Sequence, residues 1–72
     1  MKPIEVGCLI HYKTSFHDQM WIVTSITNGQ YKIIIVYKGD KLCWNPTYIM
    51  KYDWENWERD RVTVTYPNGE TE

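Results

Sequence analysis

The stretch MWIVTSITNGQYKIIIVYKGD, residues 20–40, decides the fold. Residues 20–27 alternate: Met20, Ile22, Thr24 and Ile26 fall on one side of an extended chain, Trp21, Val23, Ser25 and Thr27 on the other. Successive side chains of a strand point to opposite faces, and β-branched residues suit a pleated surface. Asn28-Gly29 separates this run from a second one. That pair is the strongest short-range hairpin signal, and it predicts a type I′ turn with both residues at positive φ. On the return strand Tyr31, Ile33, Ile35 and Tyr37 share one face, and Lys32, Ile34, Val36 and Lys38 the other. Both faces are apolar in the middle, which predicts a central strand covered on both sides or one passing through a barrel bend. Gly39-Asp40 then turns the chain again.

Outward from this hairpin the same signals continue. VGCLIHY (6–12) alternates, with Val6, Cys8, Ile10 and Tyr12 on one face and Leu9 and His11 on the other. KLCW (41–44) predicts a short fourth strand, and the Asn45-Pro46 pair after it predicts a break in the ladder and one 3₁₀ or helical turn over 45–50. DWENWERD (53–60) is acidic and predicts a helical turn, with Trp54 and Trp57 three apart on one face. RVTVTY (61–66) alternates, Val62, Val64 and Tyr66 inward, as a closing strand; PNGETE (67–72) predicts a turn and a frayed tail. Five short antiparallel strands in 72 residues point to an all-β domain over residues 1–66, closed into a small barrel because closure removes exposed edges.

Composition bounds the function. A chain of 72 residues is one domain near the lower size limit for a self-sufficient core, yet 43% hydrophobic and 15% aromatic residues supply one. The longest apolar run is far short of the roughly 20 residues of a membrane span, and MKPIEVGCLI has no long apolar region of a signal peptide. These point to a cytoplasmic protein with Cys8 and Cys43 as reduced thiols and no membrane partner. Charge is split: residues 1–52 have a surplus of three positive charges, residues 53–72 a surplus of four negative ones. A bulk nucleic-acid binder is usually strongly basic, and this chain at net −1 is not.

The order VGCLIHY, then W.V.SI, Y.IIIVYKGD and NPTYIM resembles an SH3-like barrel of the Tudor type over about residues 5–52. The resemblance implies an aromatic cage that holds a methylated lysine or arginine by cation–π contact. Carried over, the cage positions are Tyr12, Trp21 and Tyr37; the family's fourth aromatic falls in the turn that here reads KGDK, so the cage is incomplete unless Trp44 substitutes. Related KOW-type barrels bind RNA, and the fold alone does not choose among these roles.

Catalytic and metal chemistry find little support. Cys8, His11, His17 and Cys43 are the ligand candidates, but Cys8 and His11 are three apart on a strand and point to opposite faces, so no metal and no cofactor are expected. His17-Asp18 has no serine or cysteine placed beside it, and no enzyme is expected. The expectation is a non-enzymatic binding module, a bacterial or phage accessory protein that binds and modulates a larger host protein. Its predicted surface is an aromatic patch of Tyr37, Trp44, Tyr48, Trp54 and Trp57 rimmed by Lys38, Asp40 and Lys41, because Trp and Tyr dominate interface hot spots. For Trp54 and Trp57 a fold-back as a lid over the barrel end is the competing reading, and Trp21 and Tyr66 are the best core candidates. The alternative function is nucleic-acid binding through Tyr31, Lys32, Lys38, Lys41 and Lys51, stacking bases beside cations. A homodimer is a further option, since it would cover exposed aromatics and a free edge.

Overall fold

The computed structural model describes residues 3–56 and 61–72. Five strands, β1 (Leu9–Lys13), β2 (Asp18–Thr27), β3 (Gln30–Lys38), β4 (Lys41–Met50) and β5 (Val62–Thr65), form one antiparallel sheet, with a short helix α1 (Lys51–Glu55) between β4 and β5. The order across the sheet is β4-β3-β2-β1-β5. The all-β class, the strand number and the hairpins are as the alternation predicts. Closure is not: β4 and β5 end the sheet without pairing, so it is open rather than a closed barrel.

The two edges are treated differently. Along β5 the C-terminal residues fold back. The Val64 amide donates to the Glu72 carbonyl at 2.7 Å, the Glu72 amide returns a bond to the Val64 carbonyl at 2.8 Å, and the Tyr66 amide donates to the Glu70 carbonyl at 2.7 Å. The Tyr66 hydroxyl donates to Glu72 Oε2 at 2.7 Å. The expected frayed tail is therefore tied down, because these donors and acceptors would otherwise be left on a bare edge. The β4 edge has no such cover among the described residues. It carries Pro46, which offers no donor, with Lys41 at its start and Lys51 just past its end, which discourage a further strand.

Pro46 also explains the largest error in the strand reading. The residue pairs with Ile34, and β4 runs through it to Met50 instead of breaking at Asn45. An edge strand tolerates proline because the missing N–H faces away from the ladder. The helical turn consequently starts at Lys51, not at 45 or 53. Only the first part of the predicted 53–60 turn is seen, and Trp57 lies outside the described residues. At the Asn28-Gly29 turn only Gly29 has positive φ (81°), so the hairpin forms as expected but not with a type I′ turn.

One face of the sheet carries the core. Ile10, Val23, Ile33 and Val64 are buried there, with Trp21, Tyr31, Ile49 and Val62 around them. Cys8 is buried at the start of β1, Tyr66 closes the β5 end, and both cysteines are free thiols. Helix α1 is too short to be stable alone. Its anchor is Trp54, which is only 3% exposed and belongs to the core cluster. The fold-back reading is therefore the correct one for Trp54, and that residue leaves the predicted surface patch.

Candidate binding surface

Two irregularities, one on each side of β3, decide which side chains reach the opposite face. Between Ile35 and Tyr37 the chain advances two residues while β2 advances one, from Trp21 to Met20. Val36 is the extra residue, and beyond it the alternation inverts. Tyr37 therefore pairs with Met20 rather than sharing the face of Ile33 and Ile35. The same place is irregular on the β4 side, where Ile35 pairs with Asn45 but Tyr37 with Leu42. The additional residue there brings Trp44 to a φ of 55°, the one non-glycine residue with positive φ among those described. A bulky side chain in this region is an outlier that the surrounding structure must hold.

With the register in place, two complete rows cross the outer face. The first runs Thr65, Leu9, Ile22, Ile34, Pro46; the second runs Thr63, His11, Met20, Tyr37, Leu42. Lys32 and Tyr48 pair in a shorter row beside the first. The expectation that β3 is covered on both faces fails here. Helix α1 packs on the core side through Trp54 and the tail lies along β5; in the outer rows Leu9, Leu42 and Pro46 are exposed and His11, Met20, Ile22, Ile34 and Tyr37 half-buried. Along β4 the exposure is high for apolar side chains: Leu42 72%, Tyr48 59%, Trp44 58% and Met50 47%. Exposed apolar side chains gathered along one edge strand make this the candidate interaction surface.

A polar cluster sits within the second row. His11 Nε2 meets Asp18 Oδ1 at 2.7 Å, and the Tyr37 hydroxyl donates to the same oxygen at 3.4 Å. The His11 hydrogen bond holds the Asp18 carboxyl below the ordinary carboxylate range, against partial desolvation and with help from the His11 and Lys13 charges. Desolvation, then the Asp18 charge, push the Tyr37 phenol up, so it stays a donor. Sequence reasoning missed this cluster. Its signal was available: Asp18 is opposite Lys13, which makes it the diagonal neighbour of His11 on the same face of the β1–β2 hairpin.

The four cage positions do not converge. Tyr12 and Trp21 stack in parallel, ring centroids 5.8 Å apart and planes 11° apart, on the core side. Trp21 is 5% exposed and gives its indole N–H to Gln19 Oε1 at 3.0 Å, so it has no free ring face to offer. Tyr37 lies on the outer face with His11, and Trp44 stands at the β4 edge. Of the nucleic-acid set, Tyr31 is buried, whereas Lys32, Lys38, Lys41 and Lys51 are exposed. Of the protein-patch set, Tyr37, Lys38, Asp40, Lys41, Trp44 and Tyr48 remain at the surface, joined by Leu42 and Met50, which the aromatic emphasis overlooked.

Two shallow concavities lie elsewhere: about 410 Å³ beside Tyr12, Phe16, His17 and Arg61, and about 500 Å³ beside Ile4, Ile26, Tyr31 and Lys51. Among the described residues no group of three or more His, Cys, Asp or Glu is placed to hold a metal, and no helix is long and apolar enough to cross a membrane. Scans against family models, curated proteins and solved structures return no match.

Proposed function

We propose that the protein is a non-enzymatic binding module that docks a protein partner on the outer face of its sheet, along β3 and β4. One observation carries the reading: Leu9, Met20, Ile22, Ile34, Tyr37 and Leu42 lie in two neighbouring rows on the face of the sheet away from the core, beside the exposed Tyr48 of β4. Trp44 at the edge strengthens it, since strain held at an exposed aromatic is characteristic of functional sites. The position of β1 between β2 and β5 supports kinship with SH3-like barrels, here in an open form. Methyl-group reading is disfavoured by the separated cage positions. The contacts of His11 with Asp18 and Tyr37 read as a structural clasp across β1, β2 and β3. An accessory role, modulating a larger protein, suits a small domain with such a face.

The test is affinity capture from the source cell after nuclease treatment, comparing the natural chain with a Leu42→Ser/Tyr48→Ser double variant. Both residues are exposed, so the variant keeps its circular dichroism spectrum. A protein retained by the natural chain and lost by the folded variant is the expected result. Equal retention by both, or a retained partner that nuclease removes, would refute the reading.

A further inference from the structure

We propose that Asn28 is a modification site of the folded chain: its side-chain amide is converted to a carboxylate through a cyclic imide closed on the Gly29 nitrogen, while Asn68 reacts far more slowly. This inference does not depend on the docking face. The sequence holds Asn-Gly twice, at 28–29 and at 68–69. In such a pair the glycine nitrogen can attack Cγ of the asparagine before it, because glycine has no Cβ to obstruct the approach. The N–Cγ bond forms, the Cγ–Nδ2 bond breaks, and ammonia leaves with the proton of the glycine amide. Water then opens the imide. Opening at Cγ leaves an ordinary aspartate. Opening at the asparagine's own carbonyl carbon routes the main chain through Cβ and Cγ, one carbon longer. Water is the only co-reactant, and nothing is oxidised or reduced.

The structure separates the two pairs. Both asparagines are exposed turn residues, so solvent access does not distinguish them. Hydrogen bonding does. In the tail turn the Gly69 amide donates to the Tyr66 carbonyl at 2.9 Å, and Asn68 Oδ1 accepts from the Glu70 amide at 3.0 Å. The attacking nitrogen is occupied and the side chain under attack is held toward Glu70, so both bonds must open before the ring closes. In the β2–β3 turn neither the Gly29 amide nor the Asn28 side chain has a hydrogen-bond partner among the described residues. Both line an open hollow of about 500 Å³ with Ile26, Tyr31 and Lys51, which admits the water of the second step. Two bonds of ordinary net strength correspond to about tenfold or more in rate. The product bears on the fold as well. Turn length fixes the register of a hairpin. The Gly29 carbonyl accepts the Lys51 amide at 2.9 Å, which ties this turn to the start of α1. A main chain one carbon longer at position 28 withdraws that carbonyl and loosens the tie between hairpin and helix.

The test is incubation of the full chain in mildly alkaline buffer, sampled by peptide mass spectrometry and by hydrogen exchange of individual amides. Asn28 should convert at least about tenfold faster than Asn68. In concentrated urea, where neither turn survives, the gap should close. In the chain carrying the longer product the Lys51 amide should exchange at least about tenfold faster than in the natural chain. An Asn28→Asp variant gains the charge but not the extra carbon, and should keep that amide protected. No conversion of Asn28 in the folded chain, equal rates at the two asparagines, or faster conversion of Asn68 would overturn the assignment. So would a gap that persists in urea, since it would then belong to the preceding residues, Thr27 and Pro67, and not to the turns. A Lys51 amide as protected in the converted chain as in the natural one would overturn the effect on the helix.

Discussion

Replacing Trp44 by glycine and by alanine separates backbone strain from lost contacts. Both substitutions remove the indole, which is 58% exposed, and so forfeit the same side-chain packing. They differ only in the Cβ. At a φ of 55°, a Cβ costs roughly 1–2 kcal/mol. Glycine lowers that term but raises the entropy of the unfolded chain, a penalty of about 0.5–1 kcal/mol relative to alanine. The difference favours Trp44→Gly over Trp44→Ala by about 0.5–1 kcal/mol. For a domain of this size that is a melting temperature about 2–8 °C higher for the glycine variant. The assay is thermal unfolding by far-ultraviolet circular dichroism, with the fluorescence of the buried Trp21 and Trp54 as a second probe. The same pair at Tyr48, on the same edge strand with negative φ, provides the control and should show the ordinary order, alanine above glycine. Alanine equal to or above glycine at position 44 would refute the strained bulge and the argument for function drawn from it.

Other outcomes follow from packing and charge. Trp54→Ala empties a core position that anchors α1 and should cost about 3–5 kcal/mol, enough to unfold much of the population at 25 °C; Tyr48→Ala should stay within about 0.5 kcal/mol in urea titrations, apart from its effect on partner binding. Gly7→Ala meets two obstacles, a φ of 95° and a Pro67 Cγ 3.3 Å from the added methyl group, and should lose about 2 kcal/mol or more by the same measurement. The folded Asp18 carboxyl titrates below its unfolded value, so its contribution is fully present above about pH 5 and fades as pH falls through the carboxylate range toward the lower folded value. Asp18→Asn should therefore be less stable than the natural chain at pH 7, with the gap closing toward pH 2–3 in urea titrations. Because both partners are partly exposed, the gap should narrow in 1 M salt.

Period-two alternation was enough to read the strands, because Val23, Ile33, Val62 and Val64 sit where their neighbours in sequence place them. It failed where the ladder gains a residue. Nothing in IIIVY marks Val36 as the bulge that turns Tyr37 over, since all five side chains suit either face. Proline misled in the opposite direction: Pro46 signals a break only in a central strand, and whether β4 is central or at the edge depends on the order of strands, a long-range property. The tail carried no strand-like pattern. PNGETE is polar throughout, and its order comes from backbone groups of Val64 and Tyr66 that need partners whatever side chains face them.

The same logic explains why the candidate surface was only half legible. Tyr37, Trp44 and Tyr48 drew attention as aromatics, but the band owes as much to Leu9, Ile22, Ile34 and Leu42, which a sequence assigns to a core by default. β3 is apolar on both sides, and one sheet with one helix can bury only one of them. The surplus apolar face is therefore a property of the whole count of elements, not of any local pattern. A domain that keeps such a face, blunts the β4 edge with Pro46 and lysines, and seals the β5 edge with its own tail has suppressed strand addition at both ends. The proposed docking therefore uses the broad side of the sheet, where contact would be made by side chains rather than by strand addition.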